Sequence, residues 1–304
     1  MKVIIALCLL ALVAGASAQC ETCSTMKWAL CDGSPCQCQL PVGTAGAKLT
    51  LDCTNLIPKC FLMQAEMYRV RNKLDTRTIG GKPVEEAIVD NDGIYDPECE
   101  SDGRFKAVQC NHTDTCWCVN SAGVRRSDKG DRNIKCEPVE TIWVRLQLTH
   151  NPAAVNKDQL KGTFQSLLSK RYNTPTARVD NVDYDPDASR IVVDVKKDAK
   201  DPVDLPRMAY YMEKDVKMLP LFKDQTPLKV TVSGNDVTFK DIVVYYVDDK
   251  PPTFTMKSLT GGVIAVIVVV VLAVVIGILV LFFLRRREQA RYGKTQAKEM
   301  ENLS

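Results

Sequence analysis

The chain has 304 residues and a formal net charge of +3, with 13 cysteines but only two histidines. That charge sums segments which, on the topology read below, lie in separate compartments, so it points to no partner class, and no segment calls for a nucleic acid. Two histidines leave little material for acid–base catalysis.

The chain opens with Met1 and Lys2, runs through apolar residues 3–13 and reaches Ala16-Ser17-Ala18. This order predicts a signal peptide over residues 1–18: the apolar run is too short to span a bilayer, and signal peptidase admits only small side chains at Ala16 and Ala18. Everything after Ala18 is therefore expected to be exported.

Cys8 falls in that peptide, and the other twelve cysteines lie between Cys20 and Cys136. An even number in an oxidising compartment predicts six disulfides. Cys20, Cys23, Cys31, Cys36, Cys38 and Cys53 crowd into a cysteine-rich module over residues 19–59. It is too short to bury much apolar surface, so disulfides are expected to supply most of its stability, and spacing alone leaves their connectivity open. Zinc ligation at Cys36-x-Cys38 is the competing reading, disfavoured by the compartment and the even count.

The next module, residues 60–136, holds Gln109-Cys110, Cys116-Trp117-Cys118-Val119, Gly123 and Cys136. This pattern resembles the thyroglobulin type-1 repeat, and residues 91–97 resemble that repeat's lead-in to its second cysteine. The resemblance implies sequential pairing, Cys60 with Cys99, Cys110 with Cys116 and Cys118 with Cys136. Trp117 is expected to pack over the half-cystines beside it. Residues 68–83, with Arg69, Arg71, Lys73 and Arg77, read as a helix running into an exposed basic loop. Asn111-His112-Thr113 is a glycosylation sequon, so Asn111 is expected to carry glycan.

From 137 to 250 the chain lacks cysteine and turns to ordinary globular periodicity. Ile142, Val144, Leu146 and Leu148 alternate with Trp143, Arg145, Gln147 and Thr149, as in a half-buried strand. Leu160, Phe164, Leu167 and Leu168 recur at helical spacing behind the possible cap Asn156. Strands are expected over 179–184 and 190–195, a helix around Leu205, Met208, Met212 and Val216, and strands over 228–232 and 237–247. The order β, α, β, β, α, β, β predicts an α+β domain with helices on one face of a sheet. Trp143 points away from Ile142 and Val144, and Tyr245 away from Tyr246, so aromatic groups are expected on both faces.

Residues 251–260 read as a juxtamembrane linker. Residues 261–284 carry no charge and, as a helix, reach about 36 Å, enough for a hydrocarbon core of roughly 30 Å. Arg285, Arg286 and Arg287 follow at once, which places the tail, residues 285–304, in the cytosol. Gly261, Ala265, Ala273 and Gly277 share one ridge, weak grounds for helix pairing. The fold class is thus a multidomain type I membrane protein: a disulfide-rich N-terminal module, a thyroglobulin type-1 module, an α+β membrane-proximal domain and one transmembrane helix.

Taken together, residues 91–97, 119–126, 209–217, 245–248 and 262–271 resemble the epithelial cell adhesion molecule family. The resemblance implies epithelial cell-cell adhesion at lateral membranes and junctions, cis homodimers of the ectodomain, junctional membrane proteins and processing proteases as further partners, and signalling by proteolytic release of the tail. It also implies the pairs Cys20–Cys36, Cys23–Cys53 and Cys31–Cys38. Where family members can carry a dibasic cleavage site, the loop here offers only Arg77-Thr78 and the spaced Arg69 and Arg71. No nucleophile motif accompanies His150, and the sequence holds no phosphate-cradling loop, zincin helix or calcium loop, so neither an enzyme nor a cofactor is expected. The rival function is inhibition of cysteine proteases, with the Cys116–Val119 loop as the wedge.

Overall fold

The computed structural model describes residues 23–33, 35–43, 46–74, 96–111, 114–218, 220–223, 225–254 and 261–301. The expected signal peptide, Cys20, Arg77, His112, Thr113 and residues 91–95 lie outside that set. The chain divides into two units, Met1–Thr253 and Phe254–Ser304.

In the first unit, strands β1 (Leu30–Asp32), β2 (Gln37–Val42) and β3 (Ala47–Leu51) form an antiparallel sheet. Alternation along β2 buries Cys38, Leu40 and Val42 and turns the intervening residues outward, and helix α1 (Lys59–Arg71) packs on this strand. Two expected bridges are corrected here: Cys23 is bonded to Cys31 and Cys38 to Cys53, not Cys23 to Cys53 and Cys31 to Cys38. The cause is crowding. The β1–β2 register sets Cys31 opposite Cys38, and the sulfurs of Cys23, Cys31 and Cys38 all lie within 4.8 Å of one another, so several pairings are within reach. Sulfurs held in bridges are not the thiolates that zinc requires.

The second module continues from α1 into the hairpin β4 (Val108–Cys110) and β5 (Cys116–Cys118). Its bridges are Cys60–Cys99, Cys110–Cys116 and Cys118–Cys136. Gly123 has φ +78°, and a Cβ there would sit 2.5 Å from the Phe105 ring, so the turn after Val119 needs both the left-handed backbone and the missing side chain.

The cysteine-free domain is built from β6 (Thr141–His150), α2 (Lys157–Tyr172), β7 (Val179–Asp185), β8 (Arg190–Lys196), α3 (Leu205–Lys217), β9 (Lys229–Val232) and β10 (Asn235–Asp248). The five strands pair antiparallel in the order β7-β8-β6-β10-β9. Helix α2 packs on β7 and β9, and α3 on β6 and β10. Between helices and sheet lie Val144, Leu146, Leu148, Leu160, Phe164, Ile191, Val193 and Ile242, all fully buried. The Asn156 side chain caps α2 by accepting from the Asp158 N–H.

In the second unit, helix α4 runs Gly261–Glu301 with an apolar span, Ala265–Arg287, of mean hydropathy 3.6. The helix continues past the expected boundary at Leu284, because the residues that follow hold no proline and are mostly good helix formers.

Candidate functional site

Helix α3 is the hub where the first two modules meet the third. Its outer side faces α1, and a buried ion pair joins them: Glu66 accepts from Lys214 Nζ at 2.5 Å and from the Tyr210 hydroxyl at 2.5 Å. Burial, and then the Glu66 carboxylate, push the Tyr210 phenol well above its ordinary range. Lys59, also buried, lies 4.3 Å from the Tyr246 ring centre and donates to the Tyr246 hydroxyl. Burial lowers its pKa to about 8, partly offset by Glu213. The Tyr211 hydroxyl accepts from the Ile57 N–H and donates to the Thr25 carbonyl, and Arg207 donates to the Leu56 carbonyl. The N-terminal module therefore leans on α3 for backbone hydrogen bonds as well as on its own disulfides.

A second seam joins the thyroglobulin-like module to the end of β10. The Asp248 carboxylate accepts from Asn120, Arg126 and Thr141 at 2.7, 3.0 and 3.2 Å. Burial raises its pKa, and these donors oppose that rise.

The face of the sheet turned away from the helices is a mixed surface. Cross-strand register lines up Lys196, Trp143 and Val247 in one row and Asp194, Arg145 and Tyr245 in the next. Arg145 forks onto Asp194 at 2.7 and 2.9 Å, and the Trp143 indole N–H donates to the same carboxylate. Burial opposes ionisation of Asp194, but these bonds hold its carboxyl below the usual range. Arg145 and Lys196 lie 4.9 and 4.7 Å from the Trp143 ring centre, so the indole is half covered by cations of its own face. Tyr245 and Val247 remain 40% and 37% exposed.

Other expected site residues take structural places. Trp117 and Val119 are buried in their own module, as is Gln109, whose amide bonds Glu98 and Lys106. The inhibitor reading needs that loop as an exposed wedge, and its apolar side chains point inward. Asn111 is exposed, just beyond β4. Neither Glu66 nor Lys59 stood out in the sequence, because each reads as an ordinary surface charge on a helix. The one signal was the block 209–217, whose polar residues Tyr210, Glu213, Lys214 and Asp215 are all buried.

Comparison with known proteins agrees with this arrangement. The family described as EPCAM/Trop-2, C-terminal, matches residues 141–248, the cysteine-free domain, and the thyroglobulin type-1 repeat matches residues 72–136. The chain is similar to "Tumor-associated calcium signal transducer 2" of Homo sapiens, 40% identical over 93% of this chain and 88% of the relative. The protein of that name from Rattus norvegicus is 41% identical over 84% and 81%. "Epithelial cell adhesion molecule" of Homo sapiens is 40% identical over 74% and 70%. With matches of this extent, and an apolar helix after the ectodomain, the chain belongs to the EPCAM/Trop-2 family as a single-pass plasma-membrane protein.

Proposed function

We propose that this chain is an epithelial cell-cell adhesion molecule that works by self-association of its ectodomain, with signalling through proteolytic release of its cytosolic tail. The observation that supports self-association best is the outer sheet face, where Trp143, Tyr245 and Val247 stand among Arg145, Asp194 and Lys196. A surface with aromatic anchors beside fixed charges of both signs suits a partner with complementary rows. Another copy is present wherever the protein is, and anchoring in two dimensions raises its effective concentration. On this reading the thyroglobulin-like module of one copy docks on the outer face of its neighbour, in cis, at lateral membranes and junctions. Junctional membrane proteins and processing proteases are the further partners. Full-length copies carrying two different tags, expressed in one cell, test it: a proximity signal is expected for the wild type and a clear loss for Tyr245→Glu, which removes an exposed aromatic anchor and puts a hydrated carboxylate in its place. A signal unchanged by Tyr245→Glu overturns this face as the contact.

A further inference from the structure

The residues that follow β10 are not a free linker. Arg126 lies in the thyroglobulin-like module, where its own N–H donates to the Cys118 carbonyl beside the Cys118–Cys136 bridge. Its side chain is 8% exposed and reaches three acceptors on the outgoing chain: Asp248 at 3.0 Å, the Lys250 carbonyl at 2.7 Å and the Pro251 carbonyl at 2.9 Å. The return contact comes from Thr253, whose N–H donates to the Arg126 carbonyl at 2.8 Å, and Ser127 and Thr253 form a parallel bridge. Two more ties flank it, the Asp249 N–H to the Glu140 carbonyl at 3.0 Å and an ion pair of Lys250 with Glu137. The side chains of residues 249–254 are exposed, yet these backbone groups are occupied.

Endoproteases grip substrates as extended strands through backbone hydrogen bonds, so a segment whose carbonyls and N–H groups are already held must first lift away. We propose that the Arg126 clasp is a lock on membrane-proximal cleavage: residues 248–253 resist endoproteases while the thyroglobulin-like module holds them and become substrate when it lets go. The thyroglobulin-like module supplies the Arg126 and Ser127 contacts, so whatever moves that module also sets access to the strap. The lock lies upstream of tail release and rests on that part of the proposed function.

The test uses the full-length protein in detergent micelles and a broad-specificity endoprotease such as proteinase K at limiting concentration, with cut sites mapped by mass spectrometry. Arg126→Gln is expected to raise cleavage within residues 248–253 about tenfold or more over wild type, since susceptibility follows the population of the opened segment. Equal rates in the two proteins overturn the lock. Should Arg126→Gln fail to fold, amide exchange in the wild type decides instead. Protection of the Asp249 and Thr253 amides is expected, and exchange at the rate of an unstructured chain overturns the proposal. The same variant on cells separates the two ideas. Faster in vitro cleavage with no tail released by cells, from either protein, upholds the clasp and removes the signalling reading.

Discussion

Lys59 is the residue where burial and charge conflict most plainly. Its amine is held between the Tyr210 and Tyr246 rings, and burial brings its pKa to about 8 from 10.5, with Glu213 and Asp204 resisting and Lys214 adding to the fall. Between those two values the unfolded chain binds a proton that the folded chain has released, so the free energy of unfolding rises with pH. The slope approaches about 1.4 kcal/mol per pH unit, and it is read most cleanly from about pH 8 to 9.5, below the ordinary tyrosine range. Denaturant unfolding across that window should show the rise in wild type and lose it in Lys59→Met. An identical slope in both proteins would mean that the amine keeps its solution pKa.

At the scale of elements, α3 marks what the sequence disclosed and what it hid. Leu205, Met208 and Met212 gave the helix and its sheet-facing side, and the structure buries all three. Asn156 gave the start of α2 because a cap is local chemistry. Hidden was the other side of α3, where Tyr210 and Lys214 meet Glu66, whose bonds span 144 and 148 residues. Periodicity finds an apolar stripe, but it cannot pair a charge with one that far away. The pairing in the N-terminal module was hidden because the sulfurs of Cys23, Cys31 and Cys38 crowd within 4.8 Å of one another, and neither spacing nor strand register, which sets Cys31 opposite Cys38, singles out the pairs that bond. Glu66→Ala is expected to destabilise the ectodomain by about 3–5 kcal/mol, because it leaves Lys214 buried without its partner. Replacing both, Glu66→Leu with Lys214→Met, should recover most of that loss, since the desolvation cost goes with the charges. Equilibrium denaturation of the wild type and these two variants gives both numbers, and a loss below about 1 kcal/mol for Glu66→Ala would place the pair among ordinary surface bridges.

For the whole molecule, the division into modules was legible from composition: cysteine density, the CWCV core, alternation in β6 and the apolar stretch each announced a segment. How the modules join was not, because the seams consist of polar groups whose partners lie in other modules, Asp248 with Arg126, Glu66 with Lys214 and Thr25 with Tyr211. The result is a three-module ectodomain packed through α3 and the end of β10, presenting one face of its sheet outward. Self-association through this face is what would link that surface to adhesion. Sedimentation equilibrium of the ectodomain over a wide concentration range, beside Tyr245→Glu, decides it. A mass rising toward the dimer with concentration is expected in the wild type and a monomer in the variant. A wild-type ectodomain that stays monomeric throughout would contradict it.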